Sequence, residues 1–186
     1  MATTQFKKQS LPKIINADVP LWFAVVTKFK CEKSVNKSLT QKRITCYTPI
    51  QKVTRISKTN GRTRKLELPL ITCYVFVKIT SLEHVKVLET ENVIRFVQFG
   101  KQLSSIPEEE INILRQVTGE GVTGLEVSTT IFTKGDQVEV VSGELTGLKG
   151  RLVEIAGKRN FIIELNSLGL TLHPLHINPK HLRKVP

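Results

Sequence analysis

The run from Gly135 to Gly150, GDQVEVVSGELTGLKG, constrains the fold more than any other part of the chain. Val138 and Val140 alternate with Gln137 and Glu139, the period-two pattern of a strand with one buried face and one wet face. Gly143, Gly147 and Gly150 punctuate that pattern at bends where a Cβ would be strained. Only a compact strand-turn-strand unit meets both conditions. The pattern continues in Arg151 to Ala156, Asn160 to Leu165 and Leu168 to Leu172, with turns at Gly157 and Asn166-Ser167. Residues 131–186 are therefore expected to form a small all-β barrel of about five strands.

The first two thirds of the chain follow another plan. Residues 1–20 mix Lys, Ser, Pro and Asn without periodicity and are expected to be a flexible leader. Trp22 to Thr27, WFAVVT, fits a buried central strand. Cys31, Val35 and Leu39 then recur at helical spacing, with Lys33, Lys37, Lys42 and Arg43 between them. Thr45 to Ile56 is read as strand, and Asn60-Gly61 between two basic arms signals a protruding β-hairpin. Leu70 to Ile79, LITCYVFVKI, is the most apolar strand. Ser81 is expected to cap a helix with the stripe Leu82, Val85 and Leu88. Val93 to Phe99 returns to strand, and Pro107 with Glu108 to Glu110 opens a helix facing the sheet through Ile111, Leu114 and Val117. Residues 21–117 thus read as an α+β domain with a largely antiparallel sheet packed against helices. Residues 118–130, rich in glycine, read as a flexible linker.

Charge is distributed unevenly along this plan. The net charge is +12, yet residues 1–66 hold fifteen Lys and Arg against only Asp18 and Glu32. Residues 118–186 hold eight Lys and Arg against seven acids and are close to neutral. A polyanion would meet the first third, where phosphate contacts release counterions. An RNA-binding barrel would itself be basic, which argues against a ribosomal or RNA-binding protein. A solvated basic face is the alternative for the whole patch.

Other functional classes find little support. No stretch approaches the roughly 20 apolar residues that span a bilayer, and the N-terminus lacks a continuous apolar core, so a cytoplasmic location with no membrane contact is expected. Cys31, Cys46 and Cys73 form no C-x-x-C pair and are expected to be reduced, mostly buried thiols. His173, His176 and His181 lack the cysteines or spaced carboxylates that would complete a metal set. No G-x-S-x-G elbow is present, and Gly143 to Gly150 lacks the G-K-[ST] ending of a phosphate loop. No enzyme activity, metal or cofactor is expected.

The glycine-punctuated run resembles a KOW motif at Gly135, Asp136, Val138, Val140, Gly143, Gly147 and Gly150. Together with the strand WFAVV, the basic hairpin, YVFVKI, VIRFVQFG and IPEEEI, it makes the chain similar almost end to end to the NusG family. PLITCYVFVKI and NVIRFVQFGKQLSSIP most resemble specialised paralogues of the UpxY and RfaH kind. The resemblance implies a NusG-type N-terminal domain, an SH3-like KOW barrel, and a monomer that binds RNA polymerase through the clamp helices. It implies suppression of pausing or termination on selected operons, with a housekeeping elongation factor as the alternative. The barrel's partner stays open among a ribosomal protein, a termination factor or none.

Carried over by position, the polymerase-binding residues are Trp22, Leu70, Ile71 and Tyr74, and core filling is the alternative for each. Non-template or upstream DNA in the elongation complex is implied at Lys28, with Lys30 adding charge. The hairpin residues Lys52, Arg55, Lys58, Arg62, Arg64 and Lys65 form a second basic set, for which a solvated tip is the alternative. Thr72-Cys73 departs from the Pro-Gly or Pro-Asn that usually precedes the family's tyrosine, and so leaves the turn before Tyr74 open.

Overall fold

In the computed structural model, residues 19–56, 61–99, 102–119, 125–128, 135–143, 145–155, 158–174 and 181–185 are described. The fold is mixed α+β, with antiparallel pairing throughout the described sheets.

Strand β1 (Leu21–Thr27) lies inside a four-stranded sheet with β2 (Thr45–Tyr47), β5 (Tyr74–Ile79) and β6 (Val93–Phe96), in the order β2-β5-β1-β6. Residues alternate between two buried faces, so both strands read as continuous apolar runs. Phe23 and Val25 with Val75, Val77 and Ile79 pack against Val35 and Leu39 of α1 (Glu32–Gln41) and Val87 of α2 (His84–Leu88). Trp22, Ala24 and Phe76 join the opposite cluster with Ile111, Leu114 and Val117 of α3 (Glu108–Val117). The expected stripe of α3 is thus the one it buries.

Several local expectations change. The stretch from Thr45 to Ile56 is two strands, because Thr48 and Pro49 separate β2 from β3 (Ile50–Ile56). Only β2 joins the main sheet; β3 pairs with β4 (Thr63–Pro69) as a separate two-stranded hairpin. Residues 57–60, with Lys58 and Asn60, lie outside the described residues, while Gly61 adopts the left-handed φ of 64° that the turn signal calls for. The most apolar strand begins only at Tyr74, since Cys73 turns the chain at a φ of 64°.

The helix after β5 is capped by Thr80, not Ser81. Thr80 and Glu83 form a capping box around a 3-10 turn at Ser81–Glu83. That tighter turn shifts the phase of the elements that follow. Leu82 and Val85 are consequently 82% and 53% exposed, and His84 and Val87 are buried in their place. His84 stacks on Phe96 at 4.5 Å between ring centroids, and burial holds its pKa below the ordinary 6.5. All three cysteines are free but only half-buried, more exposed than expected.

The C-terminal region is a six-stranded sheet in the order β14-β10-β11-β12-β13-β9. Its strands are β9 (Leu125–Ser128), β10 (Asp136–Val140), β11 (Lys149–Ile155), β12 (Lys158–Leu165), β13 (Leu170–Pro174) and β14 (Leu182–Lys184). β9 falls within the segment expected to be linker. Its LEVS alternation pairs with β13 from Leu125↔Pro174 to Thr171↔Ser128, a four-residue signal outweighed in the sequence by flanking glycines. The core of this sheet is Val138, Val140, Leu148, Phe161, Ile163, Leu165 and Leu172. A short hairpin of β7 (Gln98–Phe99) and β8 (Gln102–Leu103) completes the described strands. Residues 1–18 and 131–134, which bear on the expected leader and on the start of the barrel, lie outside the described residues.

Candidate functional site

Trp22 is the centre of a polar and aromatic cluster on one face of the main sheet. Its ring is buried, 3% exposed, and its indole Nε1 donates to Glu108 Oε2 at 2.7 Å. The same oxygen receives Lys78 Nζ at 2.8 Å, and Arg115 Nη1 lies 3.3 Å from Oε1. Both cations also lie over the indole, at 5.9 Å for Lys78 and 5.5 Å for Arg115. Arg115 spans to Tyr47, 5.6 Å from its ring centroid, and Tyr47 Oη and Thr118 Oγ1 are 2.8 Å apart. Hydrogen bonds from Lys78, then Trp22, hold the Glu108 carboxyl below the ordinary carboxylate value. Burial outweighs the Thr118 bond at Tyr47 and raises its hydroxyl pKa. Glu108 is thus more than a favourable charge at a helix start: it fixes the indole.

Of the polymerase-contact residues read from the sequence, Trp22, Leu70 and Ile71 are buried and Tyr74 is half-buried. Their hydrophobic cluster is continuous with Val138, Val140, Leu145, Leu148 and Phe161 of the C-terminal region. Two hydrogen bonds join the same regions: Gln116 Nε2 donates to the Thr146 carbonyl, and Ser167 N–H to Glu110 Oε1, each at 3.0 Å. Glu110 is 9% exposed, and its Oε2 has no partner among the described residues. A half-satisfied carboxylate makes this contact weaker than its apolar area suggests.

The turn before Tyr74 is held by a buried acid. Glu32 Oε1 accepts the Cys73 N–H at 2.6 Å, while the Cys73 carbonyl accepts the Thr27 N–H at 2.8 Å. The left-handed Cys73 therefore fills the role that a glycine or asparagine would fill with less strain.

Lys28 and Lys30 lie exposed at the end of β1. On the hairpin, Lys52, Arg62, Arg64 and Lys65 are exposed; the Arg55 side chain and Lys58 lie outside what is described. Arg55 and Arg64 occupy directly opposed positions in the register of β3 and β4. Lys33 reaches across from α1 to Glu67 at 3.0 Å, an exposed pair of little energetic weight. The structure brings Lys28 and Lys30 together but leaves them on a different element from the hairpin set.

In the glycine-punctuated motif, Val138 and Val140 face the core and Asp136 pairs with Lys184 at 2.7 Å. Gly135, Gly143 and Gly147 all have positive φ. Gly150 is required for a different reason: a Cβ there would overlap the Ile162 carbonyl and lie 2.7 Å from two Phe161 ring carbons. Among the described residues no group of His, Cys, Asp and Glu is arranged to hold a metal, and no helix is long and apolar enough to cross a membrane.

Sequence reasoning missed Glu108, Arg115 and Tyr47 as partners of Trp22. Trp22 and Glu108 are 86 residues apart, and only the side-by-side placement of β1 and α3 unites them.

Residues 20–115 match the family model described as transcription termination factor nusG, and residues 134–185 match the second KOW domain of transcription elongation factor SPT5. The chain is 28% identical over 151 residues to the transcription termination/antitermination protein NusG of Streptococcus pyogenes serotype M3, covering 74% of this chain and 82% of that protein. The same figures hold for the serotype M1 protein. A solved structure described as domain interaction in Thermotoga maritima NusG superposes with a TM-score of 0.51 at 19% identity, covering 92% of this chain and all of that one. With a NusG domain over more than half its length and a KOW domain behind it, the chain belongs to the NusG family.

Proposed function

We propose that the chain is a transcription elongation and antitermination factor that binds elongating RNA polymerase and suppresses pausing or termination on selected operons. Membership of a family of transcription termination and antitermination factors supports the coarse reading. The observation that carries attachment to polymerase is the Trp22 cluster. It is an aromatic centre buttressed by Glu108, Lys78 and Arg115, next to the apolar Leu70, Ile71 and Tyr74. Rigid aromatics surrounded by apolar side chains and ringed by charge have the make-up of a protein-interface centre.

In this reading residues 21–117 attach to the clamp helices of polymerase and residues 131–186 act as a tethered KOW module that docks a ribosomal protein or a termination factor. Because Trp22, Leu70 and Ile71 are buried in a cluster that also holds residues of the C-terminal sheet, the side chains that cover them have to move aside for them to meet polymerase. The basic residues of the first third, Lys28 and the hairpin included, then face non-template or upstream DNA. The chain works as a cytoplasmic monomer without catalysis.

A housekeeping elongation factor is the competing reading, favoured by the likeness to ordinary NusG proteins. Genome-wide occupancy separates the two. Enrichment with polymerase on a small set of operons is the expected outcome. Occupancy of most transcribed genes would establish the housekeeping role, and no enrichment with polymerase would contradict both.

A further inference from the structure

The turn Leu70-Ile71-Thr72-Cys73 joins β4 to β5 and, with Tyr74 directly after it, carries three of the four residues read as polymerase contacts. Its backbone is pinned at both ends. Leu70 N–H donates to the Pro49 carbonyl at 2.8 Å where the turn begins, and the Cys73 carbonyl accepts the Thr27 N–H at 2.8 Å where the chain meets β1. Tyr74 then pairs with Val26 in the register of the main sheet. At the junction Cys73 adopts a φ of 64°, a left-handed angle that a residue with a Cβ disfavours by a factor of about five to thirty. Something has to hold it there.

Glu32, in the first turn of α1, supplies the hold. The residue is 3% exposed, and its Oε1 accepts the Cys73 N–H at 2.6 Å across 41 residues of sequence. A bond from an ionised carboxylate is roughly twice as strong as a neutral one, and the low dielectric around a buried group strengthens it further. Val35 and Leu39 pack the same helix onto the sheet, so the carboxylate stands on an anchored element. An acid in a first turn also favours the helix dipole, but that role is met from the surface and requires no burial. Burial and the short bond to Cys73 give Glu32 a second task.

We propose that Glu32 is a positioning residue for polymerase attachment: it braces Cys73 in its left-handed turn and so sets the backbone from which Leu70, Ile71 and Tyr74 project. This rests on the reading above that makes those three residues contacts. Without the bond, the turn relaxes toward a negative φ at position 73, and only the fraction of molecules that keeps the native turn is competent to bind. All three contacts are then weakened together. Glycine at position 73 takes the left-handed angle at no steric cost, so it makes the brace dispensable.

The test titrates assembled elongation complexes with the full-length protein, below the unfolding midpoint of every variant. Glu32→Ala should bind about tenfold more weakly, the lower end of what a hydrogen bond to a charged group contributes. Glu32→Gln keeps an acceptor in place and should lose less. Cys73→Gly should bind at least as tightly as the native chain, and the double variant Glu32→Ala/Cys73→Gly within about threefold of Cys73→Gly. An equal fold loss from Glu32→Ala in both backgrounds would overturn the proposal, because a helix-start role for Glu32 does not depend on residue 73. Binding by Glu32→Ala within about twofold of native would overturn it as well. Should Glu32→Ala not fold, recovery of fold and binding in the double variant supports the brace, and a double variant that stays unfolded overturns it. Amide exchange of the Cys73 N–H in the free protein keeps the two readings apart. Exchange about tenfold or more faster in Glu32→Ala is expected. With that rise, a native chain that does not bind polymerase counts against attachment alone, whereas an unchanged rate overturns the brace whatever polymerase does.

Discussion

Replacing Trp22 with alanine should destabilise the protein by roughly 3–5 kcal/mol, the range for losing a buried large aromatic. That is a large part of the 5–15 kcal/mol that typically separates folded from unfolded states. The ring is 3% exposed, contributes to the cluster shared by β1, α3 and the C-terminal sheet, and donates the hydrogen bond that Glu108 accepts. Alanine leaves a cavity and also deprives Glu108 of a donor. Trp22→Phe keeps most of the volume and loses the indole N–H, so its cost should be nearer 1 kcal/mol. Urea unfolding followed by circular dichroism checks both, since Trp22 is the single tryptophan and fluorescence would vanish with it. Equal stability of native protein and Trp22→Ala would show that the indole is not a core residue.

Gly150→Ala should be a strongly damaging change in the C-terminal sheet. The new methyl would overlap the Ile162 carbonyl across the β11-β12 pair and press on the Phe161 ring, and neither backbone nor a buried ring yields cheaply. Overpacking of this kind costs about 1–3 kcal/mol, with backbone collisions at the upper end. Gly147→Ala is the internal comparison. Its φ is 85° but nothing lies within 4 Å of an added Cβ, so only the backbone cost of roughly 1–2 kcal/mol applies. Amide exchange reads the difference. Gly150→Ala should lose protection along β11 and β12 while β1 and β5 stay protected, and Gly147→Ala should lose less. Equal protection in the two variants would contradict the close approach at Gly150.

Much of this fold was legible because its strongest signals are local. The runs WFAVVT and YVFVKI are buried on both faces, and Ile111, Leu114 and Val117 mark the buried side of α3. Short or competing signals point elsewhere. A 3-10 turn ahead of α2 rotated the buried positions from Leu82 and Val85 to His84 and Val87, a phase that helical spacing alone does not encode. β9 was hidden because its partner β13 lies 43 or more residues further on, from Ser128 to Thr171.

The site was less legible than the fold. Glu108 looked like a helix-start charge, and its bond to Trp22 depends on two elements meeting in space. Conversely, Trp22, Leu70 and Ile71 are buried in this conformation, so a contact role for them requires a rearrangement that uncovers them.

That requirement shapes the measurement that bears most directly on the central claim, attachment to RNA polymerase. Trp22→Ala confounds binding with folding, whereas Tyr74 is half-buried and can be truncated at less cost to the core. Retention of the full-length protein on assembled elongation complexes should be measured for the native chain and for Tyr74→Ala, with thermal unfolding of both as the control. The account predicts that the native chain is retained and that Tyr74→Ala binds roughly tenfold or more weakly, the loss expected at an interface centre, with an unfolding midpoint close to native. A native chain that fails to associate with polymerase would contradict it.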